Sequence, residues 1–319
     1  MKDNKKSDIL VVLGPTASGK TGLAVKLALK YGGEIVSADS MQIYKGMQIG
    51  TAKPTEKEMC GIAHHMIDFL PADEKYSVAQ YVEDAKTVIA DIQNRGKLPI
   101  VAGGTGLYIS SLLNNISFTE SPVDEALRDK LNAVLAEQGT EPLFNELMSF
   151  DPESAEKIGH GNGKRLIRAI EIYRTTGITM TEQIKNSKLV PSPFRAFKIG
   201  LKCRDRTNLY SRINQRVDVM LDNGLLEETR QVCNMPCSKT SAMAIGYKEL
   251  IPYLLGECSY DDAVEKLKRE TRRYAKRQLT WFMRDDEIRW FDIDTYSDGT
   301  SLFADVCAAY EEYLSNNRT

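Results

Sequence analysis

The chain has 319 residues, 42% of them hydrophobic and 27% charged, with a formal net charge of −2. This is the balance of an ordinary globular protein, long enough for one large domain or two modest ones. It argues against a generally basic nucleic-acid binder, and no run approaches the roughly 18 consecutive apolar residues that a membrane span requires.

The polar opening MKDNKKSD leads directly into a short apolar strand, Ile9 to Leu13. It is too short and wrongly flanked for a signal peptide, so a cytoplasmic location is expected. A Gly-rich loop follows, then a helix from about Gly19 to Lys30 that stops at Gly32-Gly33. Glu34 to Ser37 is a second short strand, and a polar loop begins at Asp39. Ser77 can cap a helix in which Val78, Tyr81, Val82, Ala85, Val88, Ile89 and Ile92 recur at helical spacing before Gly96. Leu98 to Ala102 is another strand, closed by Gly103-Gly104. Strands alternating with amphipathic helices predict parallel βαβ units.

After Ser117 the pattern changes. Residues 124–138 and 164–175 read as helices with Gly and Pro punctuation between them and no convincing strand. Strand character returns at Phe197 to Leu201, beyond the break at Pro191-Ser192-Pro193. The expected class is therefore α/β, a P-loop NTPase-like core with a parallel sheet flanked by helices. The core would span 1–118 and 195–319, with a smaller all-helical insertion domain at 119–194. The tail should be mostly helical, at 207–222, 225–234, 241–255 and 261–284.

Six scattered cysteines read as reduced thiols rather than a metal site, and the adjacent His64 and His65 cannot share a helical face. Charge is unevenly spread. Between Val264 and Arg284 eight basic residues (Lys266, Lys268, Arg269, Arg272, Arg273, Lys276, Arg277 and Arg284) face only Glu265 and Glu270. A basic block on an otherwise acidic chain points to a polyanionic partner, and a solvated helix face is the bland alternative.

Gly14-Pro15-Thr16-Ala17-Ser18-Gly19-Lys20-Thr21 matches G-x-x-x-x-G-K-[ST], with a strand before it and a helix after it. Backbone N–H groups and the helix N-terminus suit phosphate oxygens there, Lys20 supplies a charge and Thr21 a hydroxyl for Mg²⁺. Polyphosphate hydrolases and many kinases add a carboxylate at the end of an apolar strand. Here Leu98–Ala102 ends in Gly103-Gly104-Thr105 without one. The acid at a strand end is Asp39, which points to a second substrate at that position.

Together these pieces resemble the tRNA dimethylallyltransferase (tRNA isopentenyltransferase) family. The matching residues are GPTASGKT (14–21), SADSMQIYKGMQIGTAKP (37–54), HHMID (64–68), VAGGTGLYI (101–109), KRLIRAIEIYRTTG (164–177), SAMAIGYKEL (241–250) and TRRYAKRQLTWFMR (271–284). The resemblance implies transfer of a dimethylallyl group from its diphosphate to N6 of the adenosine immediately 3′ of the anticodon. Without the C-terminal zinc finger of many eukaryotic members, the chain looks like a bacterial form.

Under that resemblance Lys20, Thr21 and the amides of residues 14–21 would grip the donor diphosphate with Mg²⁺. Asp39 would accept a hydrogen bond or proton from the adenine N6 amine, with an Asx turn or helix cap as the bland alternative, and Thr105 would lie near the reacting centre, with loop packing as its alternative. Ser40, Met41 and Gln42 would face the tRNA, with the Gln42 amide suited to an adenine edge. Arg212 and Arg216, one turn apart, share a face from which one could reach the diphosphate or both could simply be solvated. Lys164, Arg165 and Arg168 in the insertion, and Arg272, Arg273, Lys276 and Arg277 in the basic block, would hold phosphates of the anticodon stem-loop. Interleaved Tyr274 and Trp281 would serve as core or as stacking surface. A monomer is expected. Two rivals remain at this point, a P-loop small-molecule kinase using ATP and a non-catalytic RNA-binding or NTP-switch module.

Overall fold

Val, Ile and Leu dominate the short strand runs, and such runs, bounded by glycine and apolar on both faces, are the mark of buried parallel strands. In the computed structural model, which describes residues 6–116, 124–238 and 240–317, they form one six-stranded sheet. The strands are β1 (Ser7–Leu13), β2 (Gly33–Ala38), β3 (His64–His65), β4 (Leu98–Gly103), β5 (Phe194–Lys202) and β6 (Arg289–Asp292). Their order is β3-β2-β4-β1-β5-β6, and every pairing is parallel. Leu10, Val11 and Val12 of the central β1 are wholly buried, so both faces of the sheet are covered.

Helix α1 (Lys20–Tyr31) starts at the left-handed Gly19 and ends at Gly32, whose N–H returns to the Ala28 carbonyl. Helix α2 (Val78–Asn94) opens with a Ser77–Gln80 capping box and buries Tyr81, Val82, Ala85, Ile89 and Ile92 on one face. Helix α3 (Gly106–Leu113) follows β4 directly.

Residues 114–192 form a compact unit of their own, and residues 1–113 with 193–319 form the other. Its helices are α4 (Glu125–Gln138), α5 (Glu141–Phe150), α6 (Pro152–Ile158), α7 (Gly163–Thr176) and α8 (Met180–Leu189). Leu131, Leu143, Leu147, Ala155, Leu166, Ile167, Ala169 and Ile170 make its core. Glu171, inward on α7, is neutralised by two hydrogen bonds from Arg128. Helices α5, α6 and α8 escaped the sequence pattern because they are only seven to ten residues long. The expected start of the insertion, near residue 119, lies outside the described residues.

The C-terminal part supplies α9 (Arg206–Asp222), α10 (Leu225–Cys233), α11 (Tyr260–Phe282) and α12 (Gly299–Asn316). The helix expected over 241–255 is not one helix. Ser241–Met243 is a single 3-10 turn and Ile251–Leu254 a single α turn. Between them Gly246 has φ +116 and lies against the Gly50 backbone, a conformation no helix accommodates. Strands β3 and β6 and helix α12 were also unforeseen, the strands because two and four residues carry little periodicity.

At the N-terminal end of the sheet, Glu34 is almost fully buried yet holds two cationic partners and a histidine ring. Arg95 donates to both of its oxygens at 2.5 and 2.7 Å, Lys97 at 2.6 Å, and the His65 ring meets it at 2.7 Å. The Arg95 bonds above all hold the Glu34 carboxyl far below the ordinary carboxylate range. Because the folded value is depressed, this stabilisation is complete above the unfolded value near 4.5 and is lost as pH falls below it. Arg95 and Lys97 are themselves partly solvated, which screens the gain. Glu34→Ala should therefore cost about 2 kcal/mol at pH 7, and thermal melts should show the deficit shrinking as pH drops under 4.5.

Candidate functional site

Parallel strands bring their C-terminal ends, and the loops after them, to one edge of the sheet. Strand β4 lies between β2 and β1, with Gly103 paired to Ala38 on one side and Leu13 on the other. Asp39, Gly104-Thr105 and the loop that begins at Gly14 consequently stand in a row. At about 4.8 Å per strand, the end of β2 and the end of β1 are roughly 10 Å apart, with Thr105 between them.

The glycine-rich loop is shaped by contacts that exclude side chains. Gly14 has φ +146, and a Cβ there would lie 2.4 Å from the Leu201 carbonyl oxygen. Ala17 also takes a left-handed conformation, φ +63, and packs with Leu209 and Ile213 of α9 and Ala275 of α11. Ser18 Oγ and Lys20 Nζ both donate to the Pro15 carbonyl, at 2.8 and 2.5 Å. Arg212 Nε donates to the Ala17 carbonyl at 2.9 Å, so this arginine braces the loop from outside.

Lys20, Arg216 and Asp39 sit within one another's fields. Burial, and then the neighbouring Arg216 charge, lower the Lys20 pKa to about 7, with Asp39 acting in the opposite direction. Burial likewise pushes the half-buried Arg216 down. Two basic side chains crowd together beside Asp39, with Glu58 also acting on Arg216, and both are pushed down mainly by burial, an arrangement that suits an anion.

Asp39 is oriented through one oxygen. Its Oδ1 accepts from the Met41 and Gln42 backbone N–H groups at 2.9 and 3.3 Å, an Asx turn that leaves the lone pairs of Oδ2 for another donor. Thr105 is tied to the same segment. Its N–H reaches the Ala38 carbonyl at 3.0 Å, its Oγ1 accepts from the Ser40 N–H at 3.0 Å, and it donates to Ser40 Oγ at 3.4 Å. Asp39 and Thr105 are thus locked to each other through the backbone.

The structure redirects two of the expected binding residues. The Gln42 amide is committed to the protein: its Nε2 donates to the Thr51 and Ala52 carbonyls at 3.2 and 3.0 Å, and Ser37 Oγ donates to its Oε1 at 3.3 Å. It pins the 48–53 loop rather than offering an edge to a base. Arg272 turns inward and donates to Asn214 of α9 at 2.7 Å, whereas Arg273, Lys276 and Arg277 are exposed. Arg273 pairs with Glu270 at 2.6 Å, and Arg277 lies 5.7 Å over the Tyr274 ring. Lys164, Arg165 and Arg168 are exposed on α7 of the other compact unit, with Arg168 3.5 Å from Glu171. Met41 and Ser40 are half-buried beside Asp39.

Other contributors gave no signal in the sequence. Glu228 of α10 is buried and accepts from the N–H groups of Gln48, Ile49 and Gly50 and from the Tyr247 hydroxyl, at 2.7 to 3.0 Å. Three backbone donors on one carboxylate fix the loop that Gln42 also holds. Trp281 is half-buried and packs where a Cβ on Gly106 would come within 2.3 Å of its ring. Tyr274 contacts Thr105 and Gln278, and burial raises its phenol so that it stays protonated.

Comparison with known proteins agrees with the motif reading. The family model described as IPP transferase matches residues 42–285. A tRNA dimethylallyltransferase of Acetivibrio thermocellus is 48% identical over 94% of this chain and 96% of its own length. One from Thermoanaerobacter sp. strain X514 is 47% identical over 92% and 94%. Among solved structures, the full-length tRNA isopentenylpyrophosphate transferase of Bacillus halodurans superposes with a TM-score of 0.72 at 38% identity, covering 98% of each chain. A eukaryotic dimethylallyltransferase captured acting on tRNA gives a TM-score of 0.80 at 30% identity, over 97% of this chain and 80% of that one. Kinship of this extent removes the kinase and switch-module alternatives. It also accounts for a P-loop beside a strand end that carries no acid: the chain belongs to the IPP transferase family, alongside the tRNA dimethylallyltransferases.

Proposed function

We propose that the protein transfers a dimethylallyl group from dimethylallyl diphosphate to N6 of the adenosine immediately 3′ of the anticodon of tRNA, releasing diphosphate. The observation that carries this reading is the row along the sheet edge, with a P-loop at one end, Asp39 at the other and Thr105 between them. In the transfer, the bond between the allylic carbon and the bridging oxygen breaks and its electron pair leaves with the diphosphate. The N6 lone pair forms the new C–N bond, and the N6 proton passes to Asp39 Oδ2. Negative charge that builds on the leaving group meets the loop amides, the N-terminus of α1 and Lys20.

Among the described residues no group of three or more His, Cys, Asp or Glu could hold a metal. Thr21, exposed on the first turn of α1, offers a single hydroxyl. That donor set fits Mg²⁺ bound chiefly through substrate phosphates, where the ion would neutralise leaving-group charge. Arg216, in the same field as Lys20, is the arginine better placed for the diphosphate, and Arg212 shapes the loop.

Exposed Arg273, Lys276 and Arg277 on α11, and Lys164, Arg165 and Arg168 on α7, are the candidates for tRNA phosphates. No described helix is long and apolar enough to cross a membrane. We take the working form to be a cytoplasmic monomer.

Incubation with unmodified tRNA, dimethylallyl diphosphate and Mg²⁺ should yield prenylated adenosine by nucleoside mass analysis, and transfer from ATP to a small metabolite instead would sink the proposal. Asp39→Ala should slow single-turnover prenylation by a factor on the order of 10² with little change in tRNA affinity, whereas near-parental turnover would remove Asp39 from proton transfer. Because Lys20 titrates near 7 without donor, a bound diphosphate should raise its pKa and draw in a proton. At pH 8 and without tRNA, calorimetry in two buffers of different ionisation enthalpy should record uptake approaching one proton. The uptake should fall to about half a proton near pH 7, fade towards zero about a unit or more below it, where Lys20 is already charged, and be absent in Lys20→Met. Replacing Arg273, Lys276 and Arg277 together by Ala should weaken tRNA binding and flatten its dependence on log salt concentration by up to about three units; an unchanged slope excludes this face.

A further inference from the structure

The P-loop and the strand end that carries Thr105 are not joined by sheet hydrogen bonds alone. Gln278, near the C-terminal end of α11, reaches in between them and is only 6% exposed. Its Oε1 accepts from the Thr16 N–H at 2.8 Å, and its Nε2 donates to the Gly104 carbonyl at 2.9 Å. One carboxamide therefore ties the first turn of the phosphate loop to the residue before Thr105. The approach is close enough to forbid a side chain opposite it, since a Cβ on Gly104 would fall 2.2 Å from Nε2. One turn earlier on the same helix, Tyr274 touches Thr105.

From this bridge we infer that Gln278 is a positioning residue, setting the distance between the diphosphate held by the P-loop and the Thr105–Asp39 pair that receives the acceptor base. The inference rests on the transferase reading above and adds a residue that does not itself touch either substrate.

The chemistry of the bridge is selective. It needs an acceptor and a donor on one planar group, both uncharged, within reach of two backbones. Glutamate would keep the acceptor, lose the donor, face the Gly104 carbonyl with a second lone-pair oxygen and add negative charge beside the diphosphate. Asparagine is one methylene too short to span both partners. Methionine fills the space and bonds to neither. A displacement of about 1 Å between reacting groups is enough to slow a reaction roughly 10²-fold, so a loosened bridge should act on the chemical step rather than on capture of tRNA.

The test uses the full chain in single-turnover prenylation with enzyme in excess, alongside separate titrations with tRNA and with dimethylallyl diphosphate, and thermal melts. Gln278→Met should melt within a few degrees of the parent and bind tRNA within about twofold, yet prenylate at least roughly tenfold more slowly. Gln278→Glu should show the same rate loss and, unlike Met, a further loss of donor affinity from its charge. If Gln278→Met fails to fold, Gly104→Ala breaks the same contact from the other side and should give the same rate loss with tRNA affinity retained. A folded Gln278→Met, or failing that a folded Gly104→Ala, that prenylates at the parental rate overturns the inference. So does a variant whose rate falls only as far as its tRNA affinity does. Failure of the parent itself to prenylate would sink the transferase proposal instead, and the two failures cannot be confused.

Discussion

Gly103 stands between Ala38 and Leu13 in the sheet, and a Cβ there would lie 2.2 Å from the Ala38 carbonyl oxygen. No residue other than glycine allows β4 and β2 to come this close at their ends, and the site follows from that approach. Asp39 departs immediately after Ala38, Thr105 two residues after Gly103, and the P-loop immediately after Leu13. Their spacing is therefore inherited from hydrogen-bond geometry that the sheet enforces along its whole length, not from the conformation of three independent loops. Rigid elements hold reacting groups more closely than loops do, and here the loops are pinned at their first residues.

Around this row the protein invests polar side chains, buried Glu228 and the less buried Gln42 and Arg212, in bracing. Glu228 collects three backbone N–H groups of the 48–50 turn, Gln42 grips the 51–52 carbonyls, and Arg212 holds the Ala17 carbonyl. Each is a charged or amide side chain that would be costly to bury unpaired and is stabilising once its partners are backbone. What remains unbraced is charge. Lys20 and Arg216 share one region with Asp39, and burial, then the Arg216 charge, depress the Lys20 pKa. The free protein thus gathers positive charge beside the loop that begins at Gly14.

Much of this architecture was legible beforehand because it depends on local signals. The P-loop declares itself by glycine spacing, and the first strands and α2 by periodicity and caps. The absence of an acid after β4 is visible in the residues Gly103-Gly104-Thr105. The parts that stayed hidden depend on distant partners. Nothing in the sequence distinguishes Glu228 from a solvent-facing helical glutamate, because its three donors lie some 180 residues away. Arg272 and Arg273 are adjacent and chemically identical, yet one turns to Asn214 while the other stays exposed and pairs with Glu270, a difference set by the packing of α11 on α9. The Gln42 amide has the chemistry to meet a base edge, yet its Nε2 is already shared between the Thr51 and Ala52 carbonyls of its own loop.

The helical unit between α3 and β5 leaves and rejoins the chain at nearly one point, for Asn115 Nδ2 lies 3.5 Å from the Pro191 carbonyl. From the standpoint of the sheet, residues 114–192 are a long excursion whose ends barely move apart. Doubling the length of such an excursion changes closure entropy by only about 0.6 kcal/mol. With its apolar core contained within itself, the excursion can lengthen, shorten or be exchanged over evolutionary time without disturbing the register at Gly103, so this part of the fold is free to diverge while the sheet edge stays fixed.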